Sequence, residues 1–571
     1  MSPPPVLPFV SPHERPALSR VHLLHVYLLG ISSLLLLAVH AGRAQQPNQR
    51  GQTSGTPIPA VADTTTPRTF QGRVVNALTG QPISRALVRL NSRAVLTDHD
   101  GNFLFAQVTD PYMQLTATKP GYFPGLDPQE QIGIPIQLDH PPAAAIELRL
   151  YPEALLTGTV TSRDGTPLSH VPVTARRAFF DEQGLHWNPT EATQTDSHGN
   201  FRLPVQAGDY KLELRSTQRT DGGQGEIVMP MMLPEADPAG KLHAIRLQCG
   251  EEQHFDLRPI TSKTYKVTVV SDVDFTRSYP RVSARASDGT QVPINLGRTS
   301  GGDFTLNLPS GSYTLTANLN SKETQMIAQT NVTVAARDLS GVALHFMSIP
   351  AIPLEMVIES SATTPAAAIN GGDPRAGSSP GLQQFNLFLQ SDGAELLYGD
   401  GSVRLFSRPD KSFVFNTPPG TYHVKSFHSG SVWYIKAINY GTADLLRQEL
   451  VVAPGAGDIP IRITVSDATG KLTGKVKRAD TTGHSWVYLI ASDPSAYPVM
   501  TLSTNDDGLY TFDRVPPGSY RVVAFEHRRA LDLTDASVMA ALGAHVRSVT
   551  VAVGDKPTLD LDAVLGTEVQ P

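Results

Sequence analysis

"TDSHGNFRLPVQAGDYKLEL", Thr195 to Leu214, sets two short alternating runs, "NFRLPV" and "YKLEL", on either side of a Gly-x-Tyr corner and behind an acidic turn that closes on glycine. Alternation at period two marks strands with one buried face. An Asp or Asn that bonds its own backbone, followed by glycine at positive φ, makes a tight hairpin. The stretch therefore reads as turn, strand, corner, strand.

The pattern recurs. Gly199, Phe201 and Tyr210 match Gly101, Phe103 and Tyr112 in "TDHDGNFLFAQVTDPY", Gly302, Phe304 and Tyr313 in "SGGDFTLNLPSGSYTLTA", and Gly508, Tyr510 and Tyr520 in "NDDGLYTFDRVPPGSYRVVA". A fifth copy, "DKSFVFNTPPGTYHVKSF", keeps Phe413 and Tyr422 but has Lys411 where the others have glycine. The aromatic-to-tyrosine separations are 9, 9, 9, 9 and 10 residues in a chain with 36 Phe and Tyr, too regular to be accidental. Such self-similarity signals repeated structural units. The recurring tyrosines Tyr210, Tyr313, Tyr422 and Tyr520 can stack on a ligand, but one shared register with alternating apolar neighbours fits core packing, with the hydroxyl bonded to backbone.

Each copy ends in two alternating runs split by a turn, as in "IRLQCGEEQHFDLRP". Three open on a strand with a central glycine, at Gly72, Gly158 and Gly474, whereas openings three and four, "KTYKVTVV" and "IPLEMVIE", lack it. Helical periodicity is confined to "LDLTDASVMAALGAH", Leu531 to His545. Strands with one apolar face need a second sheet to cover it, so the expected fold is all-β, a tandem series of Ig-like β-sandwiches. The predicted modules span 67–150, 151–260, 261–350, 351–470 and 471–571.

The ordered set "GRVVNALTGQPISRALVRL", "TDHDGNFLF" and "LTATKPGYFP" resembles the carboxypeptidase regulatory-like domain, a transthyretin-like sandwich also grouped with carbohydrate-binding-like folds. The resemblance implies the fold and a binding or accessory role, and it brings no catalytic residues. In that family the peptidase centre lies in a separate zinc domain. Here the 17 histidines include no His-x-x-Glu pair and no His-Glu-x-x-His, the spacing that would place zinc ligands on one face. No catalytic, metal or cofactor-binding residue is assigned, and no enzyme activity is expected.

Ahead of the repeats, Arg15 and Arg20 precede an apolar run from Val21 to Val39 and a small-residue site at Gly42 and Ala44. That is the pattern of a secretory signal over 1–44, with cleavage after Ala44; the run is also near the length that spans a bilayer and can serve as an anchor. The Pro/Thr-rich segment 45–66 reads as a disordered linker. The chain is therefore expected to be secreted or held in the cell envelope, with membrane attachment only through this segment. With 47 basic against 53 acidic residues and no long run of one sign, it lacks the footprint of a nucleic-acid binder. The single cysteine, Cys249, excludes an internal disulfide.

Three short motifs invite chemistry. Asp98 and Asp100 before Gly101, like Asp506 and Asp507 before Gly508, offer oxygen ligands to calcium; an EF-hand-type loop, however, needs a glutamate where this chain has Thr109, and a tight turn needs no metal. "GSSPG" matches a nucleophile elbow around Ser379, but sits in a small-residue loop and not between a strand and a helix. "NVT" at Asn331 is a glycosylation acceptor where the host has the pathway.

Aromatics that break the repeat are the candidate ligand platform: Phe180, His186 and Trp187 in "RRAFFDEQGLHWNPTEATQ", with Phe179 beside them, and Trp433 with Tyr434. Large rings on variable loops suit a recognition surface for polysaccharide or a cell-surface protein. They equally suit packing between tandem modules. The functional expectation is a non-catalytic rod of modules that binds or scaffolds at the cell surface; the alternative is an accessory subunit of a separately encoded peptidase or glycosidase.

Overall fold

Among the described residues, alternation along the strands translates into ten sheets that pair into five sandwiches, each around its own apolar core. The computed structural model describes residues 67–565 apart from several internal segments, the longest being 361–380. The predicted signal 1–44, the linker 45–66 and Ser379 lie outside the described residues. Strands of the five sandwiches fall within 68–152, 154–257, 261–348, 351–466 and 470–562.

One arrangement is common to all five. The first strand lies between the strand that carries the repeat aromatic, antiparallel to it, and the last strand, parallel to it. In the first module, strand Arg68–Asn76 pairs with Asn102–Val108 on one side and Ile146–Pro152 on the other. The register is shared as well: Gly72 faces Phe103, Gly158 faces Phe201 and Gly474 faces Tyr510, while Val269 faces Phe304 and Leu354 faces Phe413. Close approach explains the three glycines. A Cβ on Gly158 would fall inside the contact distance of the Phe255 carbonyl and 2.7 Å from the Phe201 ring, and Gly72 and Gly474 stand in the same relation to Phe103 and Tyr510. The rings of Phe103, Phe201 and Tyr510 are 4 %, 4 % and 2 % exposed, so each lies over its glycine within the core.

The acidic turn is built as the sequence pattern predicts. Asp98 Oδ1 accepts from the backbone N–H of Asp100 and Asn102 at 3.0 and 2.8 Å, and Gly101 has φ +77°. Asp196 repeats this with His198 and Asn200, both at 2.8 Å. In the fifth module the accepting side chain is Asn505, one residue before the expected pair, with Asp507 and Leu509 as donors at 3.1 and 2.7 Å. Asp506 and Asp507 are thus not the turn-formers. The bonds from Asn102 to Asp98, and from Asn200 to Asp196, hold both carboxyls below the usual carboxylate range. A buried threonine locks each turn to the sheet opposite: Thr97 Oγ1 donates to Ile83 O at 2.6 Å and accepts from Ala86 N at 2.8 Å, and Thr195 does the same with Leu168 and Val171.

Four tyrosines close the corner between strands. The hydroxyls of Tyr210, Tyr422 and Tyr520 donate to the backbone carbonyl four residues earlier, at 2.7, 2.9 and 2.6 Å, and Tyr313 donates to Ser310 O at 3.3 Å. Tyr112 does not join them. It is 71 % exposed, and Met113 is buried in its place. The reason is a bulge: Gln107, at φ +52°, adds a residue to the strand, just as Arg514 at φ +64° does in the fifth module. An extra residue inverts the facing of everything beyond it. The spacing of nine in the first repeat therefore leads to the outside, and the spacing of ten, to Met113, is the one equivalent to Tyr510 and Tyr520.

The modules also touch one another. Arg177 Nη2 donates to Leu126 O at 2.6 Å, joining the second module to the first. Strand Glu226–Val228 pairs with Thr261–Ser271, placing Ile227 in the third core and Val228 in the second. Arg447 bridges Asp444 and, at 2.7 Å, Asp493 of the fifth module. The second module reaches the fifth through Phe180, a contact between modules that are not neighbours along the chain. Helix Ala536–Leu542, capped by Asp535, and a 3₁₀ turn at Gly543–His545 occupy the predicted helical stretch, and Met539 and Leu542 cover the outer face of the last module's sheet.

Gly158→Ala is expected to destabilise the second module by about 1–3 kcal/mol through overpacking, and Phe201→Ala by about 3–5 kcal/mol through the cavity it leaves. Hydrogen exchange resolved by module is the measurement. Faster exchange confined to 154–257 is the expected result, and unchanged protection there would place glycine and ring outside the core.

Candidate functional site

The non-repeated aromatics do not assemble into one platform; they divide between two junctions. The first is the long hairpin Pro172–Asp181 and Gly184–Gln194, in which Ala178 faces Trp187, Phe179 faces His186 and Phe180 faces Leu185. Alternation sends Val173 and Ala175 into the module's own core and turns Ala178 and Phe180 to the opposite face. On that face the Lys211 ammonium lies 4.3 Å over the Trp187 ring, and Arg176 Nε donates to Glu213 at 2.6 Å. Lys211 is 1 % exposed, and burial pushes its ammonium down to about 8.

Phe180, at the hairpin tip, is 4 % exposed and tilts against Tyr488 with ring centroids 6.2 Å apart. It joins Tyr488, Ile490 and Phe525, residues that point away from the fifth module's own core. Phe180 is therefore an inter-module plug, which corrects the expectation of an exposed platform residue there. His186 is half-buried, stacks on Phe179 at 6.1 Å and stands 3.5 Å from Asp181. Trp187 is half-buried beneath Lys211.

The second junction joins the fourth and fifth modules. Trp433 packs half-buried on the fourth core. Tyr434, 8 % exposed, meets Tyr497 of the fifth module edge to face at 5.8 Å. The two rings line a cleft of about 420 Å³ with Glu359, Lys436, Ser466 and Pro517. Lys436 Nζ lies 2.5 Å from Glu359, and that hydrogen bond holds the ammonium above its ordinary range. Ser466 Oγ accepts from Ala468 N at 3.2 Å.

Sequence reasoning missed Tyr497, Lys436 and Glu359, because the cleft exists only where two modules meet and none of these residues breaks a local pattern. Lys211 and Glu213 were missed for a related reason. In "YKLEL" they occupy the alternate positions that face water in an isolated sandwich. Among the described residues no group of three or more His, Cys, Asp or Glu side chains is placed to hold a metal ion, and no helix is long and apolar enough to cross a membrane.

No family model matches this chain, and no curated protein matches it. Among solved structures it is similar to the TIE protein of Bacillus anthracis, at 12 % identity over 48 % of this chain and 49 % of that one, with a TM-score of 0.17. It is similar also to the shaft pilin SpaA of Lactobacillus rhamnosus GG, at 13 % identity over 34 % of this chain and 97 % of that one, TM-score 0.14. A third is the minor pilin GBS52 of Streptococcus agalactiae, at 15 % identity over 34 % and 95 %, TM-score 0.18. The chain thus spans about half the length of the TIE protein. TM-scores this low carry no inference about function.

Phe180→Ala is expected to cost about 3 kcal/mol and to speed hydrogen exchange in Trp486–Ala491 and Gly518–Phe525 as well as in its own hairpin; acceleration in the hairpin alone would show that the modules do not dock through this ring. The depressed Lys211 value yields a pH signature. Between about 8 and its ordinary 10.5, the unfolded chain holds a proton that the folded chain has released, so stability rises with pH across that window. Lys211→Met should flatten this rise and be more stable than the parent at pH 7, as read from denaturant midpoints; a rise that persists in the variant would assign it to another group.

Proposed function

We propose that this chain is a non-catalytic binding and scaffolding protein of the cell exterior, built from modules of carboxypeptidase regulatory type and directed at neutral glycan. The observation that carries the reading is how the repeated polar and aromatic residues are used. The Asx side chains are committed to backbone in the turns, the hydroxyls of Tyr210, Tyr422 and Tyr520 to backbone at the corners, and the rings of Phe103, Phe201 and Tyr510 to the cores, with Tyr112 the exception on the surface. What the repeat leaves over is a set of junctions between modules, held by Phe180, Arg447 and the strand Glu226–Val228. Contacts of this kind hold modules at fixed orientations, which is what presenting a binding surface requires.

The apolar N-terminal segment with its small-residue cleavage site supports an exterior location. The lining of the cleft between the fourth and fifth modules supports a neutral ligand, because its one cation and one anion pair with each other.

The test is co-sedimentation of purified 45–571 with insoluble neutral polysaccharides and with envelope fractions, alongside hydrolysis assays on the same materials and on peptides. Retention that resists moderate salt, without turnover, is the expected result. Metal- or serine-dependent hydrolysis, or retention abolished by salt, would overturn the reading.

A further inference from the structure

We propose that the cleft between the fourth and fifth modules is a binding site for a hexopyranose unit of a neutral saccharide, with Tyr434 and Tyr497 as its recognition residues; this rests on the glycan-binding reading above. The case begins with a contrast among tyrosines. The corner tyrosines Tyr210, Tyr422 and Tyr520 each donate to a backbone carbonyl. Tyr434 and Tyr497 meet ring to ring at 5.8 Å, with Tyr497 packed also on the fifth core, and neither hydroxyl has a hydrogen-bond partner among the described residues. Two phenolic groups with unspent donor and acceptor capacity therefore border the cleft, and Ser466, whose oxygen accepts from Ala468 N, retains its own hydroxyl donor.

The charge pattern selects the class of ligand. Lys436 and Glu359 sit 2.5 Å apart, about half exposed, so the rim offers donors and acceptors with no net charge. A phosphorylated or carboxylated ligand would need an unpaired cation or a cluster of backbone N–H groups, and the lining supplies neither. Aromatic rings, Pro517 and Val553 give the remainder of the wall an apolar character. A site with apolar walls, a few placed hydroxyls and a self-neutralised ion pair matches a ring that has C–H faces and equatorial hydroxyls. The volume, about 420 Å³, lies within the range of small-molecule sites and accommodates one to two such rings. Because one tyrosine comes from each module, an occupied cleft would also tie the two modules together.

The experiment is titration calorimetry of purified 45–571 with maltotetraose, cellotetraose and chitotetraose, and with a tetragalacturonate as the acidic arm. Tyr434→Phe and Tyr497→Phe remove only the hydroxyls. Each is expected to weaken binding of the preferred neutral tetrasaccharide about 5- to 10-fold, the loss of one hydrogen bond, while thermal unfolding is unchanged because no protein bond is lost. Tyr112→Phe, exposed on the first module, is expected to leave affinity unchanged. Wild-type affinity in the double Tyr→Phe variant overturns the site but leaves the glycan reading standing, as does retention on polysaccharide without binding of any tetrasaccharide. Preference for the acidic tetrasaccharide overturns the neutral class. Absence of both polysaccharide retention and tetrasaccharide binding overturns site and reading together.

Discussion

The parallel pairing of each module's first strand with its last closes every one of these sandwiches. It joins segments separated by most of the module, so it forms only when the intervening strands have folded into place. In three modules the pairing runs past a glycine that admits both the carbonyl of the last strand and the ring of the repeat aromatic. That ring lies over a residue with no Cβ and converts an empty half-site into core. Where Val269 and Leu354 replace the glycine, the register survives and their side chains are themselves buried. Close approach is thus one solution to a shared topological demand, and register is the invariant.

Local polar groups serve the same closure. The Asx turns, the threonine locks and the tyrosine corners all satisfy backbone groups at places where the chain leaves one sheet for the other. At the threonine locks and tyrosine corners such groups would otherwise be buried without partners, at a cost of about 1–3 kcal/mol each, whereas the exposed Asx turns act by fixing the geometry of the bend. This is why residues that look chemical, such as Asp98 and Asp196, turn out to be architectural. The bulges at Gln107 and Arg514 show the opposite freedom: one residue can be added between aromatic and corner, provided a different side chain takes over the buried position. Met113 does so in the first module and Tyr520 in the fifth.

Much of the fold was legible because two short-range rules, period-two alternation and Asx-Gly turn chemistry, act within a few residues. The repeat aromatics and the Asx turns conform to them, and the helix at Ala536–Leu542 follows from an equally local signal, the 3.6-residue period. The sites were less legible. Phe180, Trp187, Trp433 and Tyr434 were identified as departures from the repeat, yet whether a departing ring faces solvent or another module is not encoded nearby. Phe180 is covered by Tyr488, more than three hundred residues later in the chain. Tyr497, Lys436 and Glu359 broke no pattern at all and acquire meaning only as neighbours.

The sequence by itself determined that the chain is all-β, that it repeats, and most of the residues that make the turns and core rings, because those depend on backbone preferences and on the two faces of a strand; the bulge that buries Met113 in place of Tyr112 and the choice of Asn505 as turn acceptor were not among them. Tertiary structure alone decided which outward faces are covered. Lys211 and Glu213 sit at positions that a lone sandwich would hydrate, yet they lie buried on the face shared with Trp187. It also decided where a cleft opens between the fourth and fifth modules. Burial is a property of everything that comes near a residue, and where modules meet that is settled by complementary surfaces and not by the local sequence pattern.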